Sequence, residues 1–279
     1  MILVAGGSGR LGTLVVHRLA ARGMPVRVLT RDPARATHLG AAAPEIVVGD
    51  VRRRADVDRA MRGVQTVVSA VHGFAGPGRV TPASVDRDGN ANLVDAAVAA
   101  GADVVLMSVV GAAPDSPMEL FRAKHEAELH LRGSGAGWTI VRATAFVELW
   151  ADIMKKPIVF GRGDNPVNFV SVRDVAAVVE RAVIDRSWRG AVMEVGGPED
   201  ITFNQLASQV QEARGHAAKV HHVPRAVLQA LAIVNRQARA GIAMDTLDMT
   251  FDAAAARERF ADLPMTNIRV ALGDAVGRT

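Results

Sequence analysis

The chain of 279 residues contains no cysteine and no tyrosine, and aromatic residues make up only 4% of it. Without cysteine there are no disulfides, no thiolate nucleophile, no Cys-ligated zinc and no iron–sulfur cluster. Lysine is scarce as well, with Lys124, Lys155, Lys156 and Lys219 the full set. Long apolar runs are missing too. The longest uncharged stretch, between Arg62 and Arg79, is interrupted by Gly, Pro and His and falls short of the roughly 18 apolar residues that a membrane span needs. Lys and Arg total 33 against 29 Asp and Glu, a net charge of only +4. The pI of about 10.2 therefore reflects the lack of groups titrating at alkaline pH rather than a basic surface. Arginines are spread without a long run, so no nucleic-acid partner is expected. The start, MILVAGGSGRLG, has no long apolar segment of the signal-peptide kind, and a soluble, cytoplasmic protein is expected.

What is present is globular: 49% hydrophobic and 22% charged residues suffice for a sizeable core. Residues 2–5 (ILVA) form a short apolar run that ends in Gly6-Gly7-Ser8-Gly9, after which Leu11, Leu14, Val15 and Leu19 recur at helical spacing. Gly23 and Pro25 stop that helix, and 26–30 (VRVLT) reads as a second strand. The unit is βαβ, which makes its strands parallel. Further strands are expected at 45–48, 66–69, 103–107 and 138–142, with helices near 33–40, 54–62, 84–100 and 118–132. Near-continuous Val/Ile/Leu strands alternating with helices predict an α/β fold with a doubly wound parallel sheet. After Arg142 the rhythm breaks at Pro157, Gly161, Gly163 and Pro166, then a helix at 172–186 and a strand at 191–195 return. Residues 1–143 and 170–198 are therefore expected to form the sheet domain. Residues 144–169 and 199–279 are expected to form a smaller, mostly helical C-terminal substrate cap, with amphipathic stretches near 202–215 and 224–240.

Gly6, Gly9 and Gly12 stand at G-x-x-G-x-x-G spacing between the first strand and helix. There, glycines permit a tight turn and close approach of a pyrophosphate to helix N–H groups. A dinucleotide is the expected ligand, contacted by Gly6, Gly9, Arg10, Leu11 and Gly12. The second strand ends at Thr30-Arg31, where an NAD site carries an acid for the ribose hydroxyls. Arg31, joined by Arg10 and Arg35, instead suits a 2′-phosphate, so NADP is favoured over NAD. Asp32 is the counter-argument. Asp50 and Val51 follow the third strand as an acceptor and an apolar support for adenine, with an ordinary N-cap as the alternative for Asp50. Ala70 and Val71, beyond the fourth strand, leave room for the second ribose; His72 reads as a polar loop residue rather than a catalyst. His221-His222 lacks a third ligand, and no metal site is expected.

These segments together resemble a known family. The runs VAGGSGRLG, TRDPAR, VVGDV, MSVVGA, WTIVRATAFVE, NFVSVRDVA and VGGPEDIT, with Lys124 followed by Glu128, look like the NmrA-like atypical short-chain dehydrogenases/reductases, a group that includes NAD(P)H-dependent quinone reductases and is similar to isoflavone reductases. The resemblance covers about residues 1–215 and implies a Rossmann fold and an NAD(P)H cofactor. Family members of the standard kind use a Ser after the fifth strand and Tyr-x-x-x-Lys on the next helix. Ser108 and Lys124 match the first and last positions, but Leu120 stands where the Tyr belongs, so the usual proton donor is absent. Lys124 is left as the candidate cofactor or catalytic contact, with pairing to Glu128 one helical turn on as its bland alternative. Ser108 either orients a carbonyl or merely ends the strand. The expected activity is NADP-dependent hydride transfer to a small apolar quinone or enone, which tolerates loss of the acid because the reduced oxygen can be protonated by water. The alternative is an NADP sensor without turnover. Phe74, Phe121, Phe146 and Trp150 are candidates for an apolar pocket or plain core, Arg142 and Glu148 for an ion pair, and a homodimer is possible.

Overall fold

The computed structural model describes residues 1–42, 44–74, 80–215, 219–233, 235–259 and 265–276. In chain order, β1 (Ile2–Ala5), α1 (Arg10–Ala21), β2 (Val26–Thr30), a 3₁₀ segment (Pro33–Ala42), β3 (Glu45–Val48), α2 (Arg54–Met61) and β4 (Thr66–Ser69) come first. A π-helical turn (Ala83–Arg87) then runs straight into α3 (Asp88–Ala100), followed by β5 (Asp103–Val109), α4 (Glu119–Gly133) and β6 (Trp138–Ala143). Next are β7 (Ala145–Phe146), α5 (Val147–Ile153), β8 (Ile158–Phe160), β9 (Pro166–Val170), α6 (Val172–Ile184) and β10 (Ala191–Val195). The chain ends with β11 (Asp200–Thr202), α7 (Phe203–Ala213), β12 (His221–Val223), α8 (Arg225–Ala232), α9 (Arg236–Met244), α10 (Ala253–Arg259) and α11 (Ile268–Val276).

Two compact units result: Met1–Arg142 with Val175–Glu194, and Ala143–Asp174 with Val195–Thr279. The first holds a seven-stranded sheet in the order β10-β6-β5-β4-β1-β2-β3. The pairs β1–β2, β1–β4, β2–β3 and β4–β5 are parallel. The order reverses at β1, so right-handed crossovers send α1 to one face and α2, α3 and α4 to the other. On the latter face Leu3, Leu93, Leu106, Leu131 and Ile140 form a fully buried cluster. Alternate strand residues turn to the opposite face, where Glu180 of α6 is bonded to Arg18 and Arg22 of α1. The reversal also leaves the crevice at the C-terminal ends of β1 and β4 where open sheets bind ligands.

The second unit carries two small sheets, β11-β9-β7 and β12-β8, besides its helices. Trp150 of α5 packs on Phe203 with ring centroids 4.8 Å apart, and Phe169 meets Phe203 edge-on at 5.6 Å. Where one amphipathic stretch was expected at 224–240, α8 and α9 stand as separate helices. Among the described residues no helix is long and apolar enough to cross a membrane, and no group of three acidic or histidine side chains is arranged to hold a metal ion.

Candidate functional site

The turn after β1 is shaped by its own backbone. Gly6 adopts φ +80°, and a Cβ there would lie 2.7 Å from the Ala70 carbonyl oxygen. At Gly12, inside α1, a Cβ would lie 2.2 Å from the Gly6 carbonyl oxygen and 2.7 Å from Gly7 Cα. Both glycines thus serve the closeness of turn, helix and β4. Gly9 differs: it is the N-cap of α1, it supplies no capping side chain, and a Cβ there would meet only the Gly6 oxygen, at 3.1 Å. The first turn of α1 contains no acidic residue, Leu11 is buried at 7% exposure and Arg10 is exposed. A helix start with no side-chain cap, over a surface kept clear of side chains, fits a diphosphate.

On the β2 side, Arg31 and Arg35 are exposed, and among the described residues neither side chain makes a hydrogen bond or ion pair. The Asp32 carboxylate is turned to the next segment, where Oδ1 accepts from Ala34 N at 3.0 Å. Asp50 is not an N-cap, that position being Arg53. Its carboxylate instead accepts from Arg52 N at 3.0 Å and Arg52 Nη2 at 2.6 Å. Those bonds hold its pKa below the ordinary carboxyl value against the opposing effect of partial burial, with the Arg31 charge adding to the depression. Val51 belongs to the core, and a Cβ on Gly89 of α3 would lie 2.8 Å from its Cγ2.

On the β4 and β5 side the structure does not show the alternative helix pairing. Lys124 does not pair with Glu128. Its Nζ lies 2.9 Å from Asp86 Oδ1 and donates to the Val71 carbonyl at 3.1 Å. Lys124 and Asp86 have side-chain exposures of 5% and 0%. Asp86 Oδ2 also accepts from Gly73 N at 2.6 Å. Asp86 sits in the π-helical turn, and Asn90, one turn on, donates from Nδ2 to the Asp86 carbonyl and accepts from Ser69 Oγ. Ala70 continues the β4–β1 ladder, its N–H donating to the Ala5 carbonyl at 2.9 Å. Asp86 and Asn90 were not anticipated; an aspartate at a helix start reads simply as favourable charge near the N-terminus.

Ser108, 4% exposed, donates to Glu128 Oε1 at 2.6 Å. Glu128 in turn receives Arg142 Nε and Nη2 at 2.9 and 2.7 Å, and Arg142 Nη1 reaches Glu194 at 3.1 Å. These carboxylates raise the guanidinium pKa, the Glu128 hydrogen bonds first among the causes. The expected Arg142–Glu148 pair is absent: Glu148 accepts from Ser171 Oγ at 2.8 Å and Val172 N at 2.9 Å. The sequence placed the two residues close along the chain, but Arg142 on β6 faces α4 and β10. Phe121 is buried at 7% exposure beside Gly111, while Phe74 and Phe146 are half-buried.

Comparison with known proteins agrees with this geometry. The family model described as NAD(P)H-binding matches residues 6–186. The NAD(P)H azoreductase of Xenophilus azovorans is 31% identical over 226 residues, 78% of this chain and 76% of that one. The (4-alkanoyl-5-oxo-2,5-dihydrofuran-3-yl)methyl phosphate reductase of Streptomyces griseus is 36% identical over 222 residues, 77% and 74% of the two chains. Among solved structures, an NADPH-dependent quinone oxidoreductase from Escherichia coli complexed with NADPH superposes with a TM-score of 0.77 over 98% of this chain and 99% of that one, at 21% identity. That last likeness concerns the fold. The chain belongs to the NAD(P)H-binding family, in the NmrA-like branch of the atypical short-chain dehydrogenases/reductases, and is an NAD(P)H-dependent oxidoreductase.

Proposed function

We propose that the first unit binds NADPH in preference to NADH, that the acceptor is small, apolar and conjugated, such as a quinone or enone, and that the second unit serves the substrate. An azo compound is of the same electronic class, and one relative takes its name from azo reduction. When bound, the nicotinamide supplies the hydride. The adenosine half would fall over β2 and β3, where the exposed Arg31 and Arg35 side chains make no hydrogen bond or ion pair among the described residues and Arg10 opens α1. An extra phosphate is matched there by charge-assisted bonds. Asp32, next to Arg31 in the chain, has its carboxylate engaged with Ala34 N.

The observation that carries the reading is the Lys124 ammonium at the ends of β4 and β5, bound to Asp86 and the Val71 carbonyl. One N–H goes to the Val71 carbonyl and the charge is paired with Asp86, and a remaining N–H suits a ribose hydroxyl or the acceptor's carbonyl. Lys124 therefore binds and orients. Ser108 contributes less directly than its place in the family motif implies: its proton goes to Glu128, and it braces α4, which carries Lys124. A conjugated acceptor suits such a site because its reduced form spreads charge over the ring and needs less stabilisation than a simple alkoxide.

Purified protein incubated with NADPH or NADH and a panel of quinones and enones tests this through absorbance of the reduced nicotinamide. Acceptor-dependent oxidation, faster with NADPH and lost in Lys124→Ala, is the expected result. Tight NADPH binding with no oxidation by any acceptor would select the sensor function instead.

A further inference from the structure

A reduced acceptor must take up a proton; water suffices for a quinone, but the strongly basic anion of a reduced enone calls for a protein acid. Past Ser69 the chain runs through Ala70, Val71, His72 and Gly73, and its backbone is held on both sides of His72. The Val71 carbonyl accepts from Lys124 Nζ at 3.1 Å, Gly73 N donates to Asp86 Oδ2 at 2.6 Å, and Lys124 and Asp86 are joined at 2.9 Å. One buried ion pair therefore closes a ring through residues 71–73. Gly73 is locked further, since a Cβ there would lie 2.2 Å from the Thr81 carbonyl oxygen. His72 is the residue this ring turns outward: it remains exposed and, among the described residues, its imidazole makes no hydrogen bond or ion pair. β4 neighbours β1 on the side away from β2. A dinucleotide with its pyrophosphate over the glycine turn and its adenosine over β2 would have its nicotinamide half on the β4 side.

We propose that His72 donates the proton to the reduced acceptor, filling the role left by the missing tyrosine, and that the Lys124–Asp86 pair is the staple that presents it. The inference rests on the reductase function proposed above. The acceptor gains two electrons and one hydrogen as hydride at one atom. The imidazolium N–H breaks as an O–H, C–H or N–H bond forms at the other end of the conjugated system, and the neutral imidazole regains its proton from solvent. The charged groups that act on the ring are Asp86, Lys124 and Arg31. Crowding by protein atoms lowers its pKa from the ordinary histidine value, Asp86 opposes that, and Lys124 and Arg31 add to it. The imidazolium is then the minor form at neutral pH, and turnover limited by it rises as pH falls.

His72→Asn is the test. For an enone, whose reduced anion is strongly basic, kcat should fall about 100-fold and lose its rise towards acid pH, with the NADPH Kd unchanged. For a quinone, whose reduced anion water can protonate, kcat should stay within about twofold of wild type. A second readout needs no turnover. In the cofactor-free chain, NMR titration of the His72 ring should move to lower pH in Asp86→Asn and to higher pH in Arg31→Gln. An active wild type whose enone reduction is unaffected in His72→Asn overturns this proposal alone, as does a His72 titration blind to both charge changes. A wild type that binds NADPH and reduces nothing overturns the reductase function and this proposal with it.

Discussion

Replacing Lys124 by Met removes a cation whose partner cannot reach water. Asp86 has no exposed surface, and after the substitution its carboxylate keeps the Gly73 N–H but no counter-charge. Breaking a buried pair from one side costs about 3–5 kcal/mol, because the stranded charge is left desolvated. Met fills nearly the same volume as the lysine stem, so the loss is electrostatic rather than a cavity effect. At about 2–4 °C per kcal/mol for a chain of this size, Tm should fall by roughly 10 °C, and urea denaturation followed by far-UV circular dichroism should show the midpoint shift. The decisive comparison is the Asp86→Asn/Lys124→Met double variant. Its neutral amide still accepts from Gly73 N and strands no charge, so it should recover at least about 2 kcal/mol of the loss, a coupling typical of residues in direct contact. A Lys124→Met protein within about 1 kcal/mol of wild type, or a double variant as unstable as the sum of the singles, would refute the staple.

Arg31→Asp should weaken NADPH roughly 10- to 100-fold, the worth of about 1.5–3 kcal/mol in hydrogen bonds to a charged group, and leave NADH unchanged; isothermal titration decides, and an unaltered NADPH Kd ends the phosphate-pairing argument. Gly12→Ala forces a Cβ to 2.2 Å from a carbonyl oxygen, so it should cost about 1–3 kcal/mol and abolish cofactor binding. At Gly9 the nearest atom is 3.1 Å away. Gly9→Ala should therefore change stability by only about 1 kcal/mol while still weakening NADPH, and melting curves beside titrations separate the two roles. The Asp50 carboxyl, held below the usual value by Arg52, contributes stability above the unfolded value of 3.8 that disappears as pH falls through the lowered folded value. Arg52→Met should thus be less stable than wild type at neutral pH, with the difference shrinking as pH falls below 3.8 and through the lowered folded value.

The strands and the glycine turn were legible because their signals are local: apolar runs of four or five residues, and a glycine triad at fixed offsets from β1. Ends were less so. The expected strand 103–107 extends to Val109, and the expected helix 84–100 opens as a π-helical turn, where hydrophobic periodicity has no separate signature. Asp86 was illegible for the same reason that it matters. Its partners, Gly73 and Lys124, are tertiary neighbours, and only the sheet order brings β4's end against α4. The Arg142–Glu148 error has the opposite cause, closeness along the chain being mistaken for closeness in space.

Lys124 itself shows how far a motif match carries. The motif places a lysine beside the nicotinamide and invites a proton-donor role, but the ion pair argues against it. To give up a proton, the ammonium would become a neutral amine 2.9 Å from a carboxylate with no exposed surface. An ammonium so engaged is suited to holding a hydroxyl or a carbonyl oxygen. Proton delivery then falls to a group that can cycle between charge states in contact with water, and on the stapled segment 71–73 the side chain with that chemistry is His72.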